Sequence, residues 1–506
     1  MSKFAILYPA AGPEDLLREG LERLKQQTHR DWVCHVVDLT ESQEAGKKLV
    51  SAAADERVSL CPARLDTLAR MMNWAMTHDS AGYVAALPPG VLLRPEALAR
   101  FADEFSSRPR AACLYSCYTE IKPDGKAVFN QLYPHEGAPH ERFDFGYVKI
   151  YRAARLKEIG GFDESLVHAA EYDVDLKLTD TYTIELVDAD LYEVVLPPSD
   201  AAADAAPAAL YSPGKGKLGG FSYVFYPPDL EAEITSVFEK MLRRRGAWID
   251  HDTVPVPYPD RPYRVKASVV IPVLNRKRFI GNAIERVLEG TFSDFEIIVV
   301  DNGSTDGTIE EVRQYVDKDP RVKLVVQKGP SIAYALNTGI RMAAGKYICQ
   351  LDSDDEYTPD TLEKMVGHME THPKCGLAIS YYELMEEDRS KVEGVAPVTH
   401  AGYTRNQILR RDGAGALRVF PKVVLEEMGY YDEENFGNFG EDYDMVLKVG
   451  EKYDVDRVHH VLYRYRRHPD NTDVTRDPLM KVRNKNNARL NAIKRRIEIN
   501  KRLGKI

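Results

Sequence analysis

Two apolar runs decide the fold: residues 267–272 read Ala-Ser-Val-Val-Ile-Pro, and residues 296–301 read Glu-Ile-Ile-Val-Val-Asp. Short continuous runs of this kind are typical of strands buried on both faces of a parallel sheet. The segment between them, 279–289, has its apolar residues at helical spacing. The alternation continues with a helix over 308–316, a strand over 322–326, a helix over 332–343 and a strand over 347–351. This order predicts an α/β domain with a doubly wound, mostly parallel sheet.

The same pattern is repeated faintly in the N-terminal part of the chain. Residues 31–38 align without a gap on residues 294–301, which sets a period of 263 residues. Further matches keep the same order, with 160–164 on 429–433 and 171–178 on 442–449. Matches in a fixed order indicate an internal repeat. We therefore predict two tandem, Rossmann-like domains.

The composition between and after the repeats sets the predicted layout. Residues 197–220 are rich in Ala, Pro, Gly and Ser, which is typical of a linker. A helical pattern follows over 228–245. The prediction is a domain over 1–198, a linker with one helix over 199–265, a domain over 266–470 and a basic helical tail over 471–506.

The composition also excludes several classes of protein. Apolar residues make up 44% of the 506 residues and charged residues 29%, which excludes collagen-like and disordered chains. The net charge of −10 argues against a whole-surface nucleic-acid binder. Every apolar run falls short of the roughly 20 residues that span a bilayer, and six cysteines are too few for a disulfide framework. We expect a cytoplasmic protein with reduced thiols.

Polar and acidic residues follow three of the predicted strands. Asn275 follows the first, Asp301 ends the second, and residues 352–355, Asp-Ser-Asp-Asp, follow the strand at 347–351. Ligands of open α/β sheets bind at the carboxyl ends of the strands, so these residues are expected to converge on one crevice. Carboxylates after an apolar strand repel one another and lose hydration, and a hard divalent cation relieves both penalties. The pattern predicts a metal site.

Five stretches together resemble the GT-A glycosyltransferases of family 2. They are Val-Val-Ile-Pro-Val-Leu-Asn at 269–275, Ile-Ile-Val-Val-Asp-Asn-Gly-Ser-Thr-Asp-Gly-Thr at 297–308, Tyr-Ile-Cys-Gln-Leu-Asp-Ser-Asp-Asp at 347–355, Gly-Glu-Asp-Tyr-Asp at 440–444 and Tyr-Arg-Arg-His at 465–468. The resemblance is strong over 266–470, whereas 1–198 resembles the family only as a decayed copy. It implies two tandem GT-A-like domains and sugar transfer from a nucleotide-diphosphate donor, with a UDP-sugar expected.

The resemblance implies a nucleotide site at the ends of the first two strands. Pro272, Val273 and Asn275 would line the base pocket. Asp301 would accept hydrogen bonds from the uracil or the ribose.

The resemblance also implies a site for Mn²⁺ or Mg²⁺. Asp354 would ligate the cation that bridges the two phosphates, and His468 would be a further metal or diphosphate ligand. Asp352, with its neighbour Ser353, would contact the ribose or the metal shell. The departing nucleoside diphosphate carries a charge that such a cation stabilises.

The implied general base is Asp442, and Glu441 is the neighbouring candidate. A sugar hydroxyl is a poor nucleophile until a base takes its proton. One carboxylate and one metal therefore suffice, and the resemblance implies a single displacement with inversion at the anomeric carbon.

One departure from the family concerns the phosphates. Family members often carry an arginine in the helix after the third strand, where this chain has Leu336. Lys328 or Arg341 is expected to supply the missing charge.

The N-terminal copy departs much further. Pro88-Pro89-Gly90 stands where Asp352-Ser353-Asp354 stands in the C-terminal copy, and Glu171 falls on Asp442. Without the paired aspartates we expect a structural or acceptor-binding domain that has lost transfer chemistry. A metal-independent second transferase is the competing interpretation.

Three functions stay open at this point. The first is transfer of a sugar to a hydroxyl of a glycan, lipid-linked or protein acceptor by the C-terminal domain. The second is a bifunctional polysaccharide synthase with two active GT-A units. The third is a non-catalytic nucleotide-sugar-binding protein. No nucleic-acid partner is expected.

The basic tail has its own alternatives. Residues 481–506 contain ten Lys or Arg and one acidic residue, Glu498. Leu490, Ile493 and Ile497 fall near one helical face. A basic amphipathic helix favours an anionic membrane surface, so peripheral membrane contact is one prediction. Packing on the acidic protein body, or on a second subunit in a homodimer, is the other.

Overall fold

The computed structural model describes residues 3–40, 42–61, 65–195, 226–260, 262–399, 402–411, 413 and 415–506. The described residues divide into two compact units. The N-terminal unit contains those up to Arg245, and the C-terminal unit runs from Gly246 to Ile506. Residues 199–225 of the predicted linker lie outside the described residues.

The N-terminal unit is a mixed, mostly parallel sheet with helices on it. Its elements are β1 (Phe4–Pro9), α1 (Glu14–Lys25), β2 (Trp32–Val37), α2 (Glu44–Ala53), β3 (Val58–Leu60), α3 (Leu68–His78), β4 (Tyr83–Ala86), β5 (Val91–Leu93), α4 (Ala97–Ser107), β6 (Ala111–Ile121), β7 (Ala127–Asn130), β8 (Lys149–Arg152), α5 (Ala153–Glu158), α6 (Ala170–Leu178), β9 (Thr183–Val195) and α7 (Pro228–Arg244). The strand order is β3-β2-β1-β4-β8-β6-β9-β5, with β7 beside β6.

The C-terminal unit is built in the same way. Its elements are β10 (Val265–Val273), α8 (Lys277–Leu288), β11 (Phe295–Asp301), α9 (Thr308–Lys318), β12 (Val322–Val326), α10 (Ile332–Met342), β13 (Gly345–Gln350), β14 (Glu356–Tyr357), α11 (Thr361–Thr371), β15 (Cys375–Met385), α12 (Ile408–Arg411), β16 (Arg418–Pro421), α13 (Lys422–Glu427), α14 (Glu441–Gly450), β17 (Asp454–Arg466), α15 (Thr472–Thr475) and α16 (Pro478–Arg502). The strand order is β12-β11-β10-β13-β16-β15-β17-β14.

The two strand orders correspond position by position, which confirms the predicted pair of α/β folds. In each unit the first strand pairs in parallel with the second and with the fourth. An antiparallel strand follows at the middle of each sheet, where β8 pairs with β4 and β16 pairs with β13.

The quoted apolar runs form the core of the C-terminal sheet. All seven residues of β11 are buried, and β10 is buried from Ala267 to Ile271. The helix predicted over 279–289 is α8, which packs Ile280, Ile284 and Val287 into the same core. The apolar face of α8 therefore packs on strands that are buried on both faces, as the sequence predicts.

Helix α7 packs within the N-terminal unit. Glu233 accepts hydrogen bonds from the backbone amides of Val167, His168 and Ala169 at 2.8–3.0 Å. At the other end of the helix, Arg245 donates to Asp180 at 2.6 Å. The helix that the sequence placed in the linker is therefore anchored at both ends.

The basic tail packs on the C-terminal unit. Helix α16 buries Ala488, Ala492 and Ile493. The Arg489 guanidinium donates to the carbonyl oxygen of Leu409 at 2.8 Å, and fully buried Arg496 donates to the carbonyl oxygen of Arg405 at 2.5 Å. Packing on the protein body is thus the alternative that the structure adopts. No helix in the described part of the chain is both long enough and apolar enough to cross a bilayer.

Candidate active site

The site lies at the carboxyl edge of the C-terminal sheet. Strand β10 pairs Val273 with Asp301 on one side and Val270 with Gln350 on the other. The segments that follow β10, β11 and β13 therefore leave the sheet at one edge. This edge brings together the three polar segments that the sequence singled out.

Asp301 ends β11 with one of its two carboxylate oxygens unpaired. The residue is fully buried, and its Oδ1 accepts the backbone amides of Gly303 and Ser304 at 3.0 and 2.9 Å. Its Oδ2 is buried without a hydrogen-bond partner. Because buried polar atoms are nearly always paired, this oxygen is available to a donor group on a ligand.

Asn275 joins the first loop to the second. It adopts a left-handed φ of 54°. Its amide donates to Ser304 Oγ at 2.8 Å, and its Oδ1 accepts the amide of Thr305 at 2.8 Å. Pro272 and buried Val273 end the strand just before this loop. The residues predicted to line a base pocket therefore lie next to Asp301, with which Val273 is paired in the sheet.

The candidates for phosphate contact differ in their surroundings. Lys328 is exposed, and a methyl group on Gly303 would lie 3.5 Å from its Cγ, so it borders the loop after β11. Arg341 instead lies 3.9 Å from Glu433 and over the ring of Tyr430. Lys328 is therefore the cation nearer to the nucleotide loop.

Asp354 contacts a buried histidine and an arginine. Its Oδ2 lies 3.0 Å from His468 Nε2 and 3.1 Å from Arg276 Nε. Burial raises the pKa of Asp354, but the hydrogen bond with His468 and the charge of Arg276 outweigh it, so this pKa lies below its usual value. His468 is buried, and its Nδ1 has no partner. The Asp354 carboxylate is thus held in its charged form.

Asp352 and Asp355 flank this group with different environments. Asp352 Oδ1 accepts only a 3.3 Å bond from Gln350 Nε2, and burial together with the charge of Asp354 raises its pKa to about 6. Asp355 accepts from the Tyr463 hydroxyl and the Arg466 amide, both at 2.8 Å. Asp355 is therefore tied to β17, whereas Asp352 keeps more of its hydrogen-bonding capacity. Ser353 between them is buried.

A buried ion pair between Arg466 and Glu356 holds the acidic turn in place. Arg466 donates from Nε to the Asp354 carbonyl oxygen at 2.7 Å and from NH2 to Glu356 Oε1 at 2.8 Å. Arg466 and Glu356 are both almost completely buried. Such a pair fixes geometry well because every charged atom must find its partner. The carboxylates of the turn are held by the last residues of β17.

The N-terminus of α14 carries the two candidate bases. Gly440, with a φ of 91°, precedes Glu441 and Asp442. Arg418 at the start of β16 donates to Asp442 Oδ2 at 2.5 Å, and the Asp442 side chain is 32% exposed. Glu441 is buried with an unpartnered Oε2, and burial together with the charge of Asp442 raises its pKa to about 8. Asp442 is the more accessible member of the pair, and it is the one that contacts Arg418.

These residues have the chemistry of a divalent-cation site. Asp352 and Asp354 are closely spaced carboxylates, and burial together with the charge of Asp354 raises the pKa of Asp352. His468 contacts Asp354 through Nε2, and its buried Nδ1 has no hydrogen-bond partner among the described residues. Carboxylate oxygens suit Mg²⁺ and Mn²⁺, and a cation offsets the excess negative charge. The donor set therefore fits the predicted metal.

Sequence reasoning missed two arginines of the site, Arg276 and Arg418. Arg276 follows Asn275 directly, so its position after the first strand was a usable signal. Arg418 lies at the start of β16 in the place that Lys149 holds at the start of β8. The repeat could have found it, because both residues precede an acidic helix N-terminus in the aligned segments.

In the N-terminal unit, side chains at the corresponding sheet edge are paired with, or covered by, other residues of that unit. Both oxygens of Asp38 are bonded, Oδ1 to Thr40 and Oδ2 to the amide of Gly46 at 2.8 Å. A methyl group on Gly12 would lie 3.4 Å from Pro89 Cβ, so Pro89 covers the loop after the first strand. Lys149 pairs with Glu171 at 3.1 Å and with Asp175 at 3.0 Å.

Comparison with known proteins gives one family match and several partial relatives. Residues 268–429 match the family described as Glycosyl transferase family 2. Chondroitin synthase of Escherichia coli is 29% identical over 228 residues, which are 44% of this chain and 33% of that protein. The uncharacterized protein y4gI of Sinorhizobium fredii is 25% identical over 481 residues, which are 88% of this chain and 51% of that protein. The chain thus spans about a third to a half of the length of these curated relatives.

Among solved structures, S. aureus TarS 1-349 in complex with UDP-GlcNAc is similar with 19% identity and a TM-score of 0.36, over 42% of this chain and 61% of that one. The family match covers β10 to α13, the segment that contains Asp301 and the acidic turn. The match with y4gI is longer than either unit alone, so that relative shares residues with both. Residues 268–429, within the C-terminal unit, are a domain of glycosyl transferase family 2.

Proposed function

We propose that the C-terminal unit transfers a sugar from a nucleotide-diphosphate donor to an acceptor hydroxyl. The observation that carries this proposal is the meeting of three groups at one sheet edge. They are the unpartnered Asp301 carboxylate oxygen, the acidic turn at 352–355, and the accessible Asp442, which contacts Arg418, the β16 residue that pairs with Gln350. A binding protein for a nucleotide sugar has no need of a positioned, charged base, so we favour an enzyme.

The nucleotide would bind over the loops after β10 and β11. Asp301 Oδ2 would accept a hydrogen bond from the base or ribose, since it is buried and has no partner in the protein. Pro272, Val273 and Asn275 would form the wall of this pocket. Lys328, exposed beside Gly303, would approach the phosphates. UDP-sugars are the first donors to test.

A divalent cation, Mn²⁺ or Mg²⁺, would be held by Asp354 and His468, with Asp352 and Ser353 beside them. Bound there, it would supply neutralisation of the charge that develops on the departing diphosphate. Arg276 already neutralises part of the Asp354 charge through its 3.1 Å contact. Arg466 and Glu356 keep the turn in place.

Asp442 would take the proton of the acceptor hydroxyl. Its contact with Arg418 orients the carboxylate and leaves the side chain 32% exposed, which an incoming acceptor requires. Glu441, with its raised pKa, is mostly protonated at neutral pH and is therefore the weaker candidate. With no covalent nucleophile assigned, the proposed reaction is a single displacement with inversion at the anomeric carbon.

A glycan is the first acceptor to test, because a relative that matches 44% of this chain is named a chondroitin synthase. Lipid-linked and protein acceptors are the alternatives. The N-terminal unit would bind the acceptor or support the fold without transferring sugar. The competing bifunctional synthase is disfavoured by the bonded Asp38 and by Pro89 at the corresponding edge.

The test is a panel of nucleotide sugars with Mn²⁺ or Mg²⁺, with released nucleoside diphosphate as the readout. We expect metal-dependent release that increases when an oligosaccharide acceptor is present. Binding of donors without turnover under any acceptor would instead support the non-catalytic protein. Two products that respond to different donors would support the bifunctional synthase.

A further inference from the structure

A second group of metal-ligating side chains lies away from the proposed active site. His368 on α11, His372 just after it and Asp456 on β17 each offer one ligand atom, and these atoms lie within 4.8 Å of one another. Asp456 and Arg466 are ten residues apart on β17, which is roughly 30 Å of strand. Because Arg466 supports the acidic turn, the histidine cluster lies towards the other end of that strand.

His368 lies in the last turn of α11, and His372 is the residue that caps the helix. They are four residues apart, which is the spacing of neighbours on an α-helix. Their rings stack with centroids 3.8 Å apart and planes 14° from parallel. Imidazole in its neutral form is a common metal ligand in proteins.

The tautomer of His372 is set by a carbonyl group. Its Nδ1 lies 2.8 Å from the backbone oxygen of His368, and a carbonyl oxygen only accepts hydrogen bonds. Nδ1 therefore carries the proton, and in the neutral ring Nε2 carries the lone pair. A histidine Nδ1–H bonded to a carbonyl is a common outer-shell arrangement of metal sites.

Asp456 supplies the third ligand. Its Oδ2 lies 3.0 Å from His368 Nε2. The His368 and Asp456 side chains are 18% and 28% exposed, and His372 is exposed. A metal can therefore reach the group from solvent, and a water can complete the coordination.

We propose that His368, His372 and Asp456 bind a transition-metal ion of the Zn²⁺ class. Two imidazoles and one carboxylate suit Zn²⁺, Co²⁺ or Ni²⁺ and disfavour Mg²⁺, which prefers oxygen ligands. Tetrahedral zinc ligands are about 3.4 Å apart, so small rotations of the exposed side chains bring the three atoms together. The ion would fasten the end of α11 to β17.

The test is a Co²⁺ titration of the untagged, metal-free full chain, followed by visible absorption, with Zn²⁺ as competitor. We expect one Co²⁺ with a tetrahedral or five-coordinate spectrum, displaced by Zn²⁺ but not by Mg²⁺. Zn²⁺ should also raise the melting temperature. His372→Ala should weaken Co²⁺ binding by at least about tenfold while the metal-free protein keeps its melting temperature, because the side chain is exposed.

His460→Ala is the matched control, since His460 is an exposed histidine on the same strand outside the cluster, and it should bind Co²⁺ as the parent does. Asp354→Asn separates this site from the proposed active site and should also leave the Co²⁺ spectrum unchanged. An unaltered spectrum and affinity in His372→Ala, or a spectrum lost in Asp354→Asn, would overturn the proposal. Neither readout depends on whether the chain transfers sugar.

Discussion

The two units have the same strand order, yet the carboxylate at the end of the second strand has different partners in each. Asp38 in the N-terminal unit uses both oxygens on its own loop, through Thr40 and Gly46. Asp301 in the C-terminal unit uses one oxygen on its loop and leaves the other unpartnered. The same backbone position therefore closes a loop in one unit and offers an acceptor atom in the other.

A second comparison concerns a cation–carboxylate pair that both units contain. Lys149 at the start of β8 contacts Glu171 on α6, and Arg418 at the start of β16 contacts Asp442 on α14. The pair is thus a feature of the shared scaffold. Only the C-terminal unit adds an acidic turn, where the N-terminal unit has Pro88-Pro89-Gly90. Transfer chemistry is accordingly expected where the pair and the turn occur together.

The largest effect is expected at the acidic turn. Asp354→Asn removes the charge opposite His468 and Arg276, and we expect donor turnover to fall by about 10³-fold or more. The melting temperature should fall as well, because His468 and Arg276 lose a charged partner, although the relief of Asp352 from a like charge offsets part of this loss. Nucleoside diphosphate release and a thermal melt measure both.

Asp317→Asn is the matched control for this prediction. Asp317 belongs to an exposed Asp-Lys-Asp segment of the same unit, and its substitution should leave turnover unchanged. Full activity of Asp354→Asn, or full activity of the parent in excess EDTA, would contradict the assignment of the acidic turn.

The second prediction compares the two aligned acids. Asp442→Asn keeps the shape of the side chain but not its basicity, so transfer should fall by about 10²–10⁴-fold while donor binding survives. Glu171→Gln in the N-terminal unit should leave transfer unchanged. Glu441→Gln should have a small effect at pH 7, because glutamine resembles the protonated acid.

The opposite order of effects would make Glu441 the base. In that case transfer by the parent should rise with pH through about 8, since the raised pKa of Glu441 keeps it protonated below that value. A pH profile of the parent beside the two variants distinguishes the two assignments. Loss of one product in Glu171→Gln would support a second active unit.

The sequence predicted the fold well because both of its signals are local. Apolar runs such as 267–272 identify buried strands, and the aligned segments identify the repeat, so the two sheets followed. It also indicated Asp301 and the acidic turn, because strand ends can be located before any contact is known. The different hydrogen bonding of Asp38 and Asp301 could not be predicted, because it depends on the geometry of the loop that follows each strand.

Contacts between distant segments were the part that the sequence did not reveal. Arg276 reaches Asp354, and Arg418 reaches Asp442, across separations of 78 and 24 residues. Because arginine is frequent on protein surfaces, its residue type alone did not mark Arg276 or Arg418 as part of the site. The tail illustrates the same limit: its sequence left membrane contact and packing on the protein body as alternatives, and it did not reveal that Arg489 and Arg496 are buried against carbonyl groups.

The third prediction separates catalysis from stability at the shared pair. Arg418→Met removes the group that orients Asp442, and transfer should fall by about 10²-fold through kcat rather than through the donor KM. Arg418→Lys should recover part of this loss, which a purely structural defect would not do. Lys149→Met should leave transfer unchanged if the N-terminal unit lacks transfer chemistry.

Lys149→Met should instead destabilise the N-terminal unit by about 3–5 kcal/mol, the usual cost of breaking a buried pair. Its side chain is 11% exposed, and Asp175 beside it is 7% exposed and would lose its cation. Denaturant unfolding measures this loss. A stable Lys149→Met protein with reduced transfer would show that the N-terminal unit contributes to the reaction.

The smallest effects are expected where the two units are most alike. Asn337 on α10 donates to the Tyr431 carbonyl oxygen at 2.9 Å and accepts the Tyr431 amide at 3.0 Å. Asn73 on α3 makes the same two bonds with Phe162, at 3.0 and 2.9 Å. Each asparagine therefore fastens a helix of its unit to a distant turn.

Substitution of either asparagine by alanine leaves a backbone amide and a carbonyl group unpaired, which costs about 1–3 kcal/mol. Asn337 is 1% exposed, whereas Asn73 is half-buried, so water can replace more of the lost bonds at Asn73. We expect Asn337→Ala to be the more destabilising variant, and Asn487→Ala, exposed on α16, to stay within about 0.5 kcal/mol of the parent. Hydrogen exchange of peptides from each unit measures the two losses separately. Equal losses of stability in Asn73→Ala and Asn337→Ala would mean that burial does not distinguish the two units at this contact. A loss of protection that spreads to the other unit would mean that the two folds are not independent.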